Sequence, residues 1–145
     1  NMAALGILYT TYVIIMKQPL NGPVLGGIFT IFGFGIFGKH LKNVFPILVG
    51  TLIAYFLNIY DPKSVSATVT ILFATNLAPV AGEYGFIAGI FAGFCHVSIV
   101  SSVGLLHGGL NLYNNGFSGG FVAATLVPIF ESIRNSRFFD KNEEE

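Results

Sequence analysis

Six apolar runs, separated by breaks of only a few residues, occupy most of this chain. They cover residues 3–16, 20–38, 44–60, 65–82, 86–106 and 119–133. The breaks are Lys17-Gln18, the segment from Lys39 to Asn43, Asp61-Pro62-Lys63-Ser64, Glu83-Tyr84 and the segment from His107 onward. Four of the runs have about the length that a helix rising 1.5 Å per residue needs to cross roughly 30 Å of hydrocarbon. Helices of a soluble bundle keep a polar face for water, and these runs have none. Charged residues make up only 10% of the 145, against about 25% in an ordinary soluble domain. Five of the fourteen lie in residues 140–145, so the remainder is poorer still.

Mean hydropathy is +0.73. Barrel strands alternate apolar and polar residues over about ten positions. Ile28-Phe29-Thr30-Ile31-Phe32 and Ile87-Ala88-Gly89-Ile90-Phe91-Ala92 do not. The pattern predicts an all-α, polytopic transmembrane bundle of about five or six spans over residues 1–133. A charged cytoplasmic tail over 134–145 follows it. The first run predicts a helix of about 21 Å, short for a span, and the chain opens on Asn1; both fit a piece of a longer protein. That run has no basic residue before it and no small-residue cleavage site after it, so it does not read as a signal peptide.

The basic residues predict orientation, because cytoplasmic loops carry an excess of Lys and Arg. With six spans, Lys39, Lys42, Arg134, Arg137 and Lys141 fall on one side, and Lys17 and Lys63 on the other. The C-terminus is therefore expected inside. The net charge is zero and no basic patch exists, so nucleic acid is not an expected partner. The expected partners are the lipid bilayer, a small solute, and either a second copy or further segments of a longer chain.

Two stretches are unusual for plain spans. Residues 21–29 contain Asn21-Gly22-Pro23, which fits a helix start with proline in the first turn. Residues 107–121 hold five glycines and three asparagines, with no acid, lysine or arginine. Such a segment is either an external loop or a re-entrant, broken helix. Irregular backbone lies at membrane depth only where protein buries it or where it lines a wet cavity. On that ground His107, Asn111, Asn114 and Asn115 are candidate solute ligands.

The fifth run carries Gly85, Gly89 and Gly93 at four-residue spacing, a face on which another helix backbone can approach closely. His96 lies near that face and at the midpoint of the run. An ionisable group at such depth usually faces the bundle interior or a wet cavity. It either lines a solute path or is a neutral imidazole satisfied by a neighbouring helix. Asn76, deep in the fourth run, must likewise find a helix partner or a pore. Glu83 ends that run, either as a solvated interfacial charge or turned inward toward His96 or His107. Cys95 reads as a small buried hydrophobe.

Zinc-type His-Glu-x-x-His, Walker and Gly-x-Ser-x-Gly motifs are absent. The three histidines are too scattered for a metal site, and no cofactor is expected.

Three segments carry a family resemblance. They are Gly33-Phe34-Gly35-Ile36-Phe37-Gly38-Lys39-His40-Leu41-Lys42-Asn43, Leu77-Ala78-Pro79-Val80-Ala81-Gly82-Glu83-Tyr84-Gly85, and the stretch from His107-Gly108-Gly109 to Asn114-Asn115-Gly116-Phe117. The chain resembles the C-terminal portion of an uncharacterised bacterial family of polytopic membrane proteins, domain of unknown function 1576. The resemblance implies membrane residence, a bacterial source and a longer parent chain, and it names no substrate. The function expected from the residues themselves is a channel or secondary transporter for a small polar solute. An intramembrane enzyme using Glu83 and a histidine on a lipid-type substrate is one alternative, and a structural or assembly subunit is another.

Overall fold

A computed structural model describes residues 1–57, 63–104 and 111–143; the side chains of 111, 112 and 137–143 lie outside the description. Every described element is a helix. They are α1 (Met2–Ile15), α2 (Gly22–Phe34), α3 (Leu41–Phe56), α4 (Val65–Ala74), a 3₁₀ turn (Thr75–Leu77), α5 (Ala78–Tyr84), α6 (Phe86–Val103) and α7 (Asn111–Glu143). Each of the six apolar runs has become a helix, and the fourth is the composite of α4, the 3₁₀ turn and α5. Three helices are long and apolar enough to cross a membrane: Val65–Tyr84, Phe86–Val103 and Tyr113–Ser136. The other three have 14, 13 and 16 residues.

Local chemistry sets the boundaries. Asn21 caps α2 through its side chain, which accepts from the Val24 amide, and Pro23 occupies the first turn as expected. His40 and Asn43 form a reciprocal capping box at the start of α3. Ser64 caps α4. Between α5 and α6 the chain reverses at a single residue, Gly85, whose φ of +91° suits glycine alone. Pro79 has no N–H for the carbonyl of Thr75, and there α4 tightens into the 3₁₀ turn.

Side-chain contacts fix the directions. Gly6 lies against Phe32 and Gly35 against Met2, so α1 and α2 are antiparallel. Gly27 meets Leu72, and Lys39 just past α2 meets Thr75 just past α4, so α2 runs with α4. Phe45 lies beside Phe86, Gly89 meets Pro46, and Gly50 reaches Ile90 and Phe94, so α3 runs with α6. Gly119 meets Asn76, and Arg134 meets Glu83, so α7 runs with the α4–α5 composite. The chain thus crosses the bundle six times in alternating directions. One end gathers the α2–α3 turn, Gly85 and Arg134. At the other, Gln18 donates to the Lys63 carbonyl at 2.9 Å.

The exterior is apolar. Phe37, Phe56 and Ile87 are each more than 80% exposed, and Phe29, Phe117, Phe121 and Ile129 also face outward. The interior holds Thr51, Thr68, Thr70, Thr75, His96, Asn114, Asn115 and Ser118. Water would reject such an outside, so the surface fits a lipid environment.

The glycine- and asparagine-rich stretch is helical from Asn111 onward, and residues 105–110 lie outside the description. Residues 134–143 continue the helix of the last span.

Candidate functional site

Close helix packing frames the site. On α6, a β-carbon on Gly93 would collide with the Ile47 carbonyl, and one on Gly89 would come within 3.0 Å of both Ala81 and Pro46. Gly50 on α3 completes the seam, since a β-carbon there would strike the Ile90 carbonyl. Gly89 and Gly93 therefore lie where the spacing placed them. Gly85 does not: a β-carbon there meets nothing within 4 Å, and the residue makes the turn instead.

Less than one turn beyond Gly93, His96 is fully buried. Its Nε2 lies 3.1 Å from Asn115 Oδ1 on α7. With that oxygen as acceptor, the ring proton sits on Nε2 and Nδ1 is a bare acceptor. His96 Nδ1, Asn114 Oδ1 and Ser118 Oγ are buried and have no hydrogen-bond partner among the described residues. Buried polar atoms are normally paired. The first turns of α7 thus bring Asn114, Asn115 and Ser118 into the interior, and His96 meets one of them.

Asn76 stands at the 3₁₀ turn, and its amide packs against Gly119, one turn beyond Asn115. The glycine is needed there, because a β-carbon would overlap the amide. On its other side Asn76 lines a cavity of about 550 Å³ between α2, the α2–α3 turn and the break in the fourth span. That volume is in the range of small-molecule sites.

Lys39 forms part of the cavity wall and is only 8% exposed. Its Nζ donates to Thr75 Oγ1 at 2.9 Å and lies 4.9 Å from the centre of the Phe34 ring. The Thr75 hydroxyl donates onward to the Leu72 carbonyl, so it is free to accept from the lysine. Thr75 is nine residues from the end of α5, so the ammonium reaches roughly 13 Å inside that end of the bundle. A lysine near a helix end usually snorkels toward water; this one turns inward. Burial pushes its pKa down to about 8. In the sequence Lys39 enters only the orientation argument, and neither it nor its partner Thr75 stands out as a site residue. The proximity of Pro79 to Asn76 was the one available sign of the break.

Glu83 is not part of this arrangement. It is exposed at the end of α5 and pairs with Arg134 Nη1 at 2.7 Å. Tyr84 beside it donates to Glu131 at 3.2 Å. His107 lies outside the described residues. Asn111 begins α7, and its side chain lies outside the description. Cys95 is a free, half-buried thiol.

The described residues form an all-helical bundle with an apolar exterior, an apolar core with polar side chains set into it, and three helices long and apolar enough to cross a membrane, as in a membrane protein. Residues 1–132 match the family described as "Protein of unknown function (DUF1576)", and the chain belongs to that family. No curated protein and no solved structure matches it.

Proposed function

We propose that this protein is an integral membrane channel or secondary transporter for a small polar solute, and that the solute path passes the break in its fourth span. The observation that carries this reading is the 550 Å³ cavity at Thr75–Leu77, with Asn76 and the buried Lys39 ammonium in its wall. A helix interrupted at depth leaves backbone groups that only a protein or aqueous lining can satisfy. Paired with a cavity, such an interruption is how transporter folds build solute sites. Asn76, His96, Asn114 and Asn115 are proposed to contact the solute, with Asn76 linking the cavity to the polar face of α7. Lys39 and Lys42 lie at the same end as Arg134, opposite Lys17 and Lys63, which supports a cytoplasmic C-terminus in a bacterial plasma membrane.

The lipid-enzyme alternative has less support, because Glu83 is engaged with Arg134 at the end of the bundle.

The test is solute flux in proteoliposomes, scanned over small polar and weakly charged solutes. The reading expects a flux that Asn76→Leu and His96→Leu each reduce at unchanged protein content. Flux equal in both variants and wild type would place the path elsewhere.

A further inference from the structure

The buried lysine carries a sharper statement about ligand chemistry. Among the described residues with placed side chains, the acids are Glu83 and Glu131, which meet Arg134 and Tyr84. Lys39 has neither, and its ammonium makes one hydrogen bond to a neutral hydroxyl. An ammonium offers three donors, and a buried charge is normally paired. The counter-charge is therefore not supplied by these side chains, while the cavity gives the ammonium an open side. The rest of the wall includes Phe34, whose ring lies against the ammonium, with Phe37 and Phe73, and Thr30 and Asn76 add neutral polar groups.

We propose that the cavity binds a small organic carboxylate, with its oxygens on the Lys39 ammonium and its apolar body against Phe34 and Phe73. The inference deepens the solute reading and shares its site. Binding is measured without flux, so the two fail separately. A bare inorganic oxyanion would satisfy the lysine and leave the aromatic wall unused. A neutral solute would leave the charge unpaired. An aromatic or short aliphatic carboxylate uses both.

The experiment is equilibrium dialysis of the purified protein in an uncharged detergent with radiolabelled benzoate. Benzamide and inorganic phosphate serve as competitors, and the binding is repeated with hexanoate. The expected result is saturable binding of benzoate and hexanoate that neither competitor displaces at equal concentration. Lys39→Gln is expected to weaken binding roughly tenfold to a hundredfold, the usual range for a hydrogen bond to a charged group, and Lys39→Arg to restore part of it. Should Lys39→Gln fail to fold, the wild type supplies the test through pH. No other lining residue titrates, and benzoate stays ionised above neutrality, so its affinity falls as the lysine loses its proton. Equal displacement by benzamide, displacement by phosphate alone, or binding indifferent to both Lys39→Gln and pH would overturn the proposal. Benzoate binding without flux in proteoliposomes would uphold this site and reject transport.

Discussion

Gly93 and His96 are less than a turn apart on α6, yet they meet their neighbours in opposite ways. At Gly93 the α3 backbone comes so close that no side chain fits between the helices. At His96 an imidazole and an asparagine amide hold α7 at hydrogen-bond distance. In lipid there is no hydrophobic force to bring helices together, so small residues and interhelical hydrogen bonds take its place. At the first seam backbone meets backbone, with no room for a side chain at Gly50 or Gly93. The second leaves polar atoms over, and beside it lie the broken helix and the lysine cavity. The difference separates scaffold from site: the α3–α6 seam fixes α6, and the face toward α7 and the 3₁₀ turn offers chemistry.

Substitutions that probe the dry seam are expected to have the largest effect. Gly50→Leu drives a side chain into the Ile90 carbonyl, and backbone cannot move aside as a flexible side chain can. Overpacking of this kind costs about 3 kcal/mol or more, and the expected outcome is loss of the monodisperse peak in detergent chromatography. Gly116→Ala and Gly120→Ala meet open space and serve as neutral controls. If Gly50→Leu matched those controls in yield and melting temperature, the close approach of α3 and α6 would be disproved.

At the polar seam the effect is smaller and has a different form. His96→Leu leaves the Asn115 oxygen buried without this donor, a loss of about 1–3 kcal/mol. With Asn115→Leu added, the combined loss is expected to be smaller than the sum of the two single losses, because both substitutions remove the same hydrogen bond. Strictly additive losses would mean that the two residues do not act as a pair.

Lys39 tests the cavity through pH. Burial lowers the pKa of the folded protein to about 8, below the ordinary lysine value, so the ammonium persists at neutrality and is lost as the pH rises through about 8. Between about pH 7 and pH 9.5, carboxylate affinity is expected to fall roughly tenfold or more, following the protonated fraction. The charge is also desolvated in the fold, so deprotonation in that window removes a penalty and stability in the absence of ligand rises. Parallel titrations of binding and melting temperature, moving in opposite directions, check both signs.

The smallest effect belongs to Glu83. Its pair with Arg134 is exposed on both sides and contributes little. Glu83→Gln is expected to leave the melting temperature and any flux within experimental scatter. A large loss of flux would move the acid back into the solute path.

Much of this frame is legible in residue patterns, for identifiable reasons. Six helices follow from six apolar runs, since a chain without polar cover has few other options. Gly89 and Gly93 stand out through their spacing on one helix. Gly50 does not, because its role depends on a partner helix that only the fold brings near. The depth of His96 follows from its place at the middle of a run, and Asn115 was already among the candidates, but their pairing required the direction of α7. The inward course of Lys39 is not legible in the sequence for a physical reason. A lysine beside a helix end is usually solvated, and only the turn at Gly38-Lys39, held by the Asn43 amide on the Gly38 carbonyl, goes with its inward course. The break at Thr75–Leu77 was hidden inside an apolar run, since hydropathy does not register a missing N–H at Pro79.

The central claim is that the cavity at this break is a polar, water-reached site inside a lipid-facing bundle. Cysteine accessibility in reconstituted vesicles tests it most directly. In a Cys95→Ser background, which removes the chain's single cysteine, Asn76→Cys and the outward-facing Phe29→Cys are each exposed to a charged, membrane-impermeant thiol reagent. Position 76 is expected to be labelled and to be protected by benzoate, while position 29 stays unlabelled in lipid. Labelling at 29 with none at 76 would contradict the central claim.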